Sequence, residues 1–528
     1  MPVYSLQPAA PGFQEIEVQV QSRLQIPSFQ MLGLPSKEIL EARERIIAAF
    51  ESSGFTFPRR RVVVNLSPPD LPKSGTHYDL AVAVAILMAG DSRWRDRNFF
   101  AWGELNLDGE VRPKGWAATW LDYFLHREEK REASDISVAT WLAHPDDAQV
   151  LKQLIQWRQQ RGLKVPKRLL WIPFQNLQDF ETLSESMQDL AIETTTPSAP
   201  AADSVLASSK TKQNPVLPPI SSALLRWLKI AMVGQHHWLL LGSKGAGKSS
   251  VLHWISALAC ENDPQLSWER MTLFRHLSQE TATPVQRIHA QNRPANLLGY
   301  FKRDEFVPGD LLCAHGGILI ADEFPEWPRD SKECLREPLE EERVTLTRRG
   351  GRVNLPCRLQ WVGTGNLCPC GGIPAHLPHL DRNVAHSCRC TPDVADRYLR
   401  RLGGPILDRL DVVTLIGNPA DSHSLDPVSI RLEIYEAQKK LIHYFNRLPR
   451  FIGASEMERM IHDQPVIAHF LQSKKSMSFR SRHKMIRMAC SIAALDQKHR
   501  DPFSPDQVTE AHLIEAWMGR PESWLFRN

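Results

Sequence analysis

The chain has 528 residues, 64 Lys and Arg against 60 Asp and Glu, and a formal net charge of +4. That length is too great for one hydrophobic core and predicts several domains, and the near balance of charge requires any basic footprint for nucleic acid to be local. The start, MPVYSLQPAAPGFQEIE, lacks the basic opening and apolar run of a secretion signal, and no apolar run is long enough to span a bilayer. The expectation is a cytoplasmic protein with no membrane partner, whose nine cysteines serve as thiols or metal ligands and not as disulfides.

Residues 1–192 alternate strand-like and helical segments, among them EIEVQVQS, KEILEARERIIAAFESSGF, RRVVVNL and YDLAVAVAILMAG; the last reads as a buried core helix. Residues 193–219, ETTTPSAPAADSVLASSKTKQNPVLPP, are rich in Ser, Thr, Ala and Pro. Such a stretch buries too little apolar surface to offset its ordering entropy and predicts a flexible linker. An α/β region follows over 220–416, and residues 417–528 carry the helical periodicity of a small helical domain.

Within the α/β region, HWLLL predicts a buried strand that runs into GSKGAGKSS, with a helix beginning near Lys248. Gly242, Gly247, Lys248 and Ser249 fit the spacing G-x-x-x-x-G-K-[ST], and the whole turn, Gly242, Ser243, Lys244, Gly245, Ala246, Gly247, Lys248, Ser249 and Ser250, is the candidate phosphate cradle. Glycines let backbone N–H groups close around phosphate oxygens, Lys248 reaches the β and γ phosphates, and the Ser249 hydroxyl ligates Mg²⁺ at the positive end of the helix. The alternative is a plain glycine turn without a ligand.

The stretch GGILIADEF predicts a second buried strand that delivers Asp322 and Glu323 to its C-terminal edge. Asp322 suits the Mg²⁺ shell, and Glu323 suits the polarising of an attacking water. ERVTLTRRGGRVNL alternates about a turn and predicts a β-hairpin with Arg343, Arg348, Arg349 and Arg352 at its tip and flanks. Those guanidinium groups suit a phosphate backbone, or form an ordinary solvated turn. LQWVGTGN predicts a third buried strand; Asn366 at its end either orients water and the γ-phosphate or simply forms a turn.

Two cysteine pairs follow, Cys368 with Cys370 and Cys388 with Cys390, inside an insertion at 366–392. Four thiolates can close a tetrahedral Zn²⁺ site, with His376, His379 and His386 as substitute ligands and Arg382 and Arg389 available to DNA; reduced free thiols are the alternative. Arg409, on the turn of GGPILDRLD, either forms a surface ion pair or enters a neighbouring subunit's site to neutralise charge. Arg480 stands near the start of a helix as a further phosphate contact.

Together these segments resemble the AAA+ ATPases of the magnesium-chelatase-like group, most closely the ComM/YifB family, over nearly the whole chain. Residues 28–87, from SFQMLGLPSKEILEARER through THYDLAVAVAIL, are similar to that family's Lon-protease-like domain, an α+β fold of the ribosomal-S5-domain-2 type. PGDLLCAHGGILIADEFPEW, LREPLEEERVTLTRRGGRV, NLCPCGG and GGPILDRLD resemble successive motifs of its ATPase. The resemblance implies an α/β P-loop AAA+ core with a helical lid, ATP and Mg²⁺ bound between subunits of a homo-hexameric ring, and single-stranded or branched DNA as substrate. It casts Asn366 as sensor 1, Arg409 as arginine finger and Arg480 as sensor 2, in cis or in trans, and carries the hairpin into a central pore. The implied activity is that of a branch-migration helicase in recombination and natural transformation. Two rivals stand beside it: a chelatase-like ATPase that remodels a protein, and a nucleotide-binding scaffold that scarcely turns over.

Two stretches depart from the family pattern. LPPISSALLRWLKIAMVGQHHW lacks the acidic-aromatic segment that helps hold adenine, and the phosphate loop lacks the usual proline. In the Lon-like domain His77 stands at the nucleophile's place in PKSGTHYDL and Ala118 at the lysine's place, while Ser74 and Lys114 fall off the dyad positions. A Ser–Lys hydrolytic mechanism is therefore not expected, and this domain is assigned to structure or to protein partners.

Overall fold

The computed structural model describes residues 3–521 apart from 9–12, 34, 70–72, 74, 90–97, 114, 131–139, 161, 167–168, 184–187, 190–216, 260–263, 274–283, 291, 303–304, 349–350, 375–387, 417–421, 424–425, 475–476 and 498–501. Most of the expected linker lies outside the described residues. The chain forms two compact units, Met1–Val205 with Trp268–Glu280, and Leu206–Ser267 with Thr281–Asn528.

The first unit is built on one mixed sheet. Its strands lie in the order Gln188–Asp189, Leu170–Pro173, Thr140–Ala143, Phe99–Ala101, Val3–Pro8, Phe13–Arg23, Arg61–Ser67 and Ser28–Leu32. Strict alternation drives the burial: Val62, Val64 and Leu66 are fully covered while the residues between them are half exposed. The covering element is the helix Asp79–Met88, whose continuous apolar sequence is buried at every residue except Leu87, as expected for a core helix. On the other side of the chain's apolar content, Trp102, Trp120, Trp141 and Trp171 form an aromatic cluster that also takes in Trp268. The Trp268 indole N–H donates to Asp122 at 2.8 Å and the Arg158 guanidinium lies 4.2 Å from its ring, so Trp268, inside the span assigned to the ATPase core, packs with the first unit.

The second unit carries a five-stranded parallel sheet. Its strands are β1 (Trp238–Gly242), β2 (Val285–Ile288), β3 (Ile318–Ala321), β4 (Gln360–Gly365) and β5 (Val412–Ile416), in the spatial order β5-β1-β4-β3-β2. Every residue of β1, β3 and β4 is buried, which explains why these segments read as continuous apolar runs and not as alternating ones. Helix α1 (Ser222–Gly234) precedes β1 and α2 (Lys248–Leu258) follows it. The C-terminal residues form α3 (Pro427–Phe445), α4 (Ala454–Asp463), α5 (Pro465–Ser473), α6 (Phe479–Asp496) and α7 (Glu510–Met518). One hydrophobic cluster runs from Leu240 and Trp254 beside the sheet through Ile434 and Leu441 to Ile486 and Leu513 in these helices. The helical lid and the sheet thus share a continuous core.

Leu240 sits at 0% exposure in the inner strand β1, whereas Leu432 on α3 is 46% exposed. Leu240→Ala should cost about 2–5 kcal/mol, and Leu432→Ala about 0.5 kcal/mol or less. Urea unfolding followed by tryptophan fluorescence would measure both; equal midpoints would contradict this assignment of the core.

Candidate active site

β1 ends at Gly242 and α2 begins at Lys248, so the intervening turn sits at the C-terminal edge of the sheet. Gly245 and Gly247 hold φ of +82° and +87°, a region that L side chains avoid, and no atom lies within 4 Å of where a Cβ would stand on either. The backbone there faces open space of the kind that phosphate oxygens fill. Ser243 and Ala246 are buried beneath the turn, Lys244 and Ser249 are exposed, and Ser250 is half-buried on the first turn of α2. The ammonium of Lys248 donates to the carbonyls of Gly242 and Ser243 at 2.9 and 2.8 Å and to Asn366 Oδ1 at 3.0 Å. Burial lowers the pKa of Lys248 while Asp322 and Glu323 act against that shift.

Asp322 and Glu323 follow β3 directly, as the strand expectation required. A residue that sequence reasoning missed ties them together. Thr364, buried on β4, donates to Asp322 Oδ1 at 2.5 Å and accepts the Glu323 N–H at 3.1 Å. A hydroxyl inside the apolar run LQWVGTGN is the signal that marks it. Arg287 at the end of β2 also pairs with Asp322 at 2.5 Å. Burial raises the pKa of Asp322, but the hydrogen bonds from Thr364 and Arg287 outweigh it and hold the carboxylate below its ordinary range. Glu323 adopts φ +50°, a left-handed conformation uncommon for a side-chain-bearing residue, and its side chain is exposed. Lys248, Asn366, Asp322 and Glu323 therefore meet at one edge, with Ser249 on the adjoining helix turn. Ser249 and Asp322 are the oxygen donors suited to Mg²⁺, a hard cation that takes carboxylate and hydroxyl ligands.

Arg409 and Arg480 are brought together by a second residue absent from the sequence expectation. Glu340 accepts from Nη2 of both arginines. Arg480 also pairs with Asp408 at 3.0 Å, and Arg409 donates to the carbonyls of Pro405 at 2.7 Å and Arg336 at 3.2 Å. Within the chain, then, Arg409 takes the ion-pair alternative. The turn that carries it is anchored from the lid: Lys484 on α6 donates to the Asp408 carbonyl at 3.0 Å, and Arg520 donates to the carbonyls of Leu410 at 2.6 Å and Asp411 at 3.2 Å. Burial pulls the Lys484 ammonium down to about 7 although Asp411 lies 3.8 Å away. Asp411 is itself buried, yet Lys484 with His236 and His237 holds its carboxyl far below the ordinary range.

The hairpin forms from Arg343–Arg348 and Gly351–Pro356, with Arg348 opposite Gly351 in register. Arg343 does not belong to its tip. It stands at the base opposite Pro356 and pairs with Glu337, at 3.2 Å, and with Glu341, so its charge is already engaged. Arg352 is exposed, whereas the Arg348 side chain and Arg349 lie outside the described residues.

Cys368, Cys370, Cys388 and Cys390 converge, and their four Sγ atoms all lie within 4.8 Å of one another. The Cys388 Sγ is 3.1 Å from that of Cys368 and 3.5 Å from that of Cys370. A Zn–S bond of about 2.3 Å implies S···S edges of about 3.8 Å in a tetrahedron, so the donor set fits that ion in size as well as in chemistry. His376, His379, His386 and Arg382 lie outside the described residues.

In the first unit His77 is buried, with Nε2 3.0 Å from the Leu6 carbonyl oxygen and its ring against Tyr78, Trp102 and Trp116. Ala118 is also buried; Ser74 and Lys114 lie outside the described residues.

Comparison with known proteins bears on the whole arrangement. The family model described as "Magnesium chelatase, subunit ChlI" matches residues 221–423, and "Subunit ChlI of Mg-chelatase" matches residues 16–131. The chain is 27% identical to the uncharacterized protein YifB of Escherichia coli, across 95% of this chain and 93% of that one. It is 26% identical to the competence protein ComM of Haemophilus influenzae, across 93% and 91%. An uncharacterized protein of Mycobacterium tuberculosis is 30% identical, across 75% of this chain and 73% of its own.

The Lys484 anchor leads to an expectation for stability. Lys484→Met strips the buried Asp411 of its nearest cation and two carbonyls of a donor, which should cost about 3–5 kcal/mol. Arg343→Ala removes only exposed ion pairs and should cost about 1 kcal/mol or less. Equal urea midpoints for the two variants would refute the anchoring role of Lys484.

Proposed function

This chain belongs to the ComM/YifB family of magnesium-chelatase-like proteins, and on that footing we propose that it is a ring-forming AAA+ ATPase that moves or remodels DNA, acting as a branch-migration helicase in recombination. The observation that carries the ATPase part is the convergence of Lys248, Asn366, Asp322 and Glu323 on one sheet edge, with Lys248 Nζ 3.0 Å from Asn366 Oδ1. The name of the competence protein from Haemophilus influenzae supports a role in the uptake and recombination of incoming DNA.

The geometry supports the following residue roles. The phosphate loop from Gly242 to Ser250 binds the triphosphate through its amides, and Lys248 exchanges its three present acceptors for phosphate oxygens. Mg²⁺, when bound by Ser249 and Asp322, offsets phosphate charge. Thr364 fixes the Asp322 carboxylate and the Glu323 backbone together, which leaves the Glu323 side chain to orient water with Asn366. Arg409 and Arg480 share Glu340, so they travel as a pair; in a homo-hexameric ring both serve the neighbouring subunit's site, in trans. Arg352, with Arg348 and Arg349 of the same basic segment, tracks a single strand without reading its sequence. Zn²⁺ at the four thiols holds the insertion together, and the first unit, in which buried His77 and Ala118 replace a hydrolytic dyad, serves protein partners without proteolysis.

Glu323→Gln should lower ATP turnover by about 10²–10⁴-fold with nucleotide binding retained. Equal turnover in the two proteins would favour the scaffold reading. Mixing inactive variants tests the trans pairing: Lys248→Ala with Arg409→Ala should regain ATPase activity, because some interfaces combine an intact loop with an intact arginine. Arg409→Ala mixed with Arg480→Ala should not regain it, since no subunit then offers both arginines; recovery in that mixture would place Arg480 in cis. On DNA, a three-stranded junction should be resolved with ATP by the wild type and not by Lys248→Ala. Arg352→Ala should weaken single-strand binding regardless of sequence and reduce the salt slope by about 0.7 per lost contact. ATPase stimulation by a protein but never by DNA would support the chelatase-like alternative.

A further inference from the structure

We infer that the four-thiol cluster governs nucleotide binding: a metal held by Cys368, Cys370, Cys388 and Cys390 locks the turn between them onto the phosphate loop. This inference rests on the proposed ATPase and zinc assignments. It adds that the two sites are energetically one.

The attachment is visible at two points. The Lys244 N–H, in the middle of the phosphate loop, donates to the Gly371 carbonyl at 2.8 Å. Gly371 adopts φ +78°, and a Cβ there would come 3.0 Å from the Lys244 Cβ, so this close approach of two backbones depends on glycine. The second attachment runs through the chain. Asn366, which accepts from the Lys248 ammonium, stands just after β4, and Leu367 and Cys368 continue from it at 0% exposure.

The cysteines hold the turn that makes these contacts. The Gly371 N–H donates to the Cys368 carbonyl at 2.9 Å, and the Gly372 N–H points to the Cys370 sulfur at 3.4 Å. From the other pair, the Cys388 N–H donates to the Ile373 carbonyl at 3.1 Å and the Cys390 N–H points to the Cys388 sulfur at 3.3 Å. N–H groups aimed at sulfur suit thiolates, and thiolates this close repel one another unless a cation lies among them. A soft divalent ion with a preference for four sulfurs removes that repulsion and sets the distance between Cys368 and Cys388, and with it the position of Gly371. Without the ion the pairs separate and the Gly371 carbonyl leaves the Lys244 N–H. The loop then has to be ordered by the nucleotide itself, which weakens binding. Linkage makes the effect reciprocal: nucleotide tightens metal binding by the same factor that metal tightens nucleotide binding.

The test uses the full chain and two binding measurements, neither of them turnover. Zinc content is determined by elemental analysis, and the tetrathiolate by the visible absorption of the Co²⁺-substituted protein. Affinity for a fluorescent ADP is then titrated before and after removal of the metal by a chelator, and after its return. The expected result is one zinc per chain, a Kd for ADP that rises at least tenfold on metal removal and recovers on readdition, and unchanged far-ultraviolet circular dichroism. ADP should in turn slow zinc loss to the chelator. Gly371→Ala separates the attachment from the metal, because it keeps all four thiols: zinc should remain bound while the Kd for ADP rises several-fold. Cys388→Ser should lose both. Zinc present and removable with the ADP affinity unchanged would overturn the coupling and leave the metal assignment standing. Absence of zinc and of a cobalt tetrathiolate spectrum would overturn the metal assignment and the coupling with it. Failure of the zinc-loaded wild type to bind ADP at all would overturn the nucleotide assignment itself.

Discussion

A parallel sheet delivers the C-terminal ends of its strands to a single edge, and the candidate active site depends on that constraint. In the second unit β1 lies beside β4 with Leu241 opposite Gly365, and β4 lies beside β3 with Gly363 opposite Ala321. The residues that follow each strand, Ser243, Asn366 and Asp322, therefore emerge at the same edge, with Asp322 level with Thr364. A shift of register by one residue would turn Thr364 to the opposite face and break its bridge to Asp322 and Glu323. Full burial of β1, β3 and β4 on both faces makes such a shift costly, so the precision of the polar edge comes from the apolar body of the sheet.

Two further elements grip that edge from outside the sheet, and each uses backbone carbonyls as handles. From the lid, Lys484 and Arg520 hold the carbonyls of Asp408, Leu410 and Asp411, so that the Arg409 turn and the Arg480 helix form one body. From the cysteine insertion, Gly371 holds the Lys244 amide of the phosphate loop. Buried cations paired with carbonyls resist displacement strongly, because separation would leave charge without solvent or partner. The Arg409 and Arg480 contacts to Glu340 are partly exposed and of a different kind. They can exchange one oxygen anion for another at small cost, which suits arginines whose proposed partner is a phosphate on an adjacent subunit.

The part of this site that was legible in the sequence is the part whose information is local. GSKGAGKS specifies left-handed turn positions and a helix start within a few residues, and ILIADE and LQWVGTGN state a buried strand and the polar group at its end. Paired cysteines announced a four-sulfur site because only a few chemistries use that pattern. That Arg343, expected among the tip and flanks of the hairpin, stands at its base and pairs with Glu337 and Glu341 was not legible, since those partners are set across the fold. Thr364 stands out as a hydroxyl inside an apolar run, but its partners, like those of Glu340, Lys484 and Arg520, gave no local sign. A threonine in a strand or a glutamate on a helix fits many environments equally well, and its partner is chosen by which distant segments pack together.

From the residues alone, then, this chain determined its glycine turn, its acidic strand end, its thiol set and its helical C-terminal region, because each arises from short-range backbone and periodicity rules. Tertiary structure alone decided that Arg409 and Arg480 share one carboxylate, that the lid anchors the turn between them, and that the thiol cluster rests on the phosphate loop. Those are contacts between segments far apart in sequence, and their existence follows from the packing of buried surfaces, which no local pattern encodes.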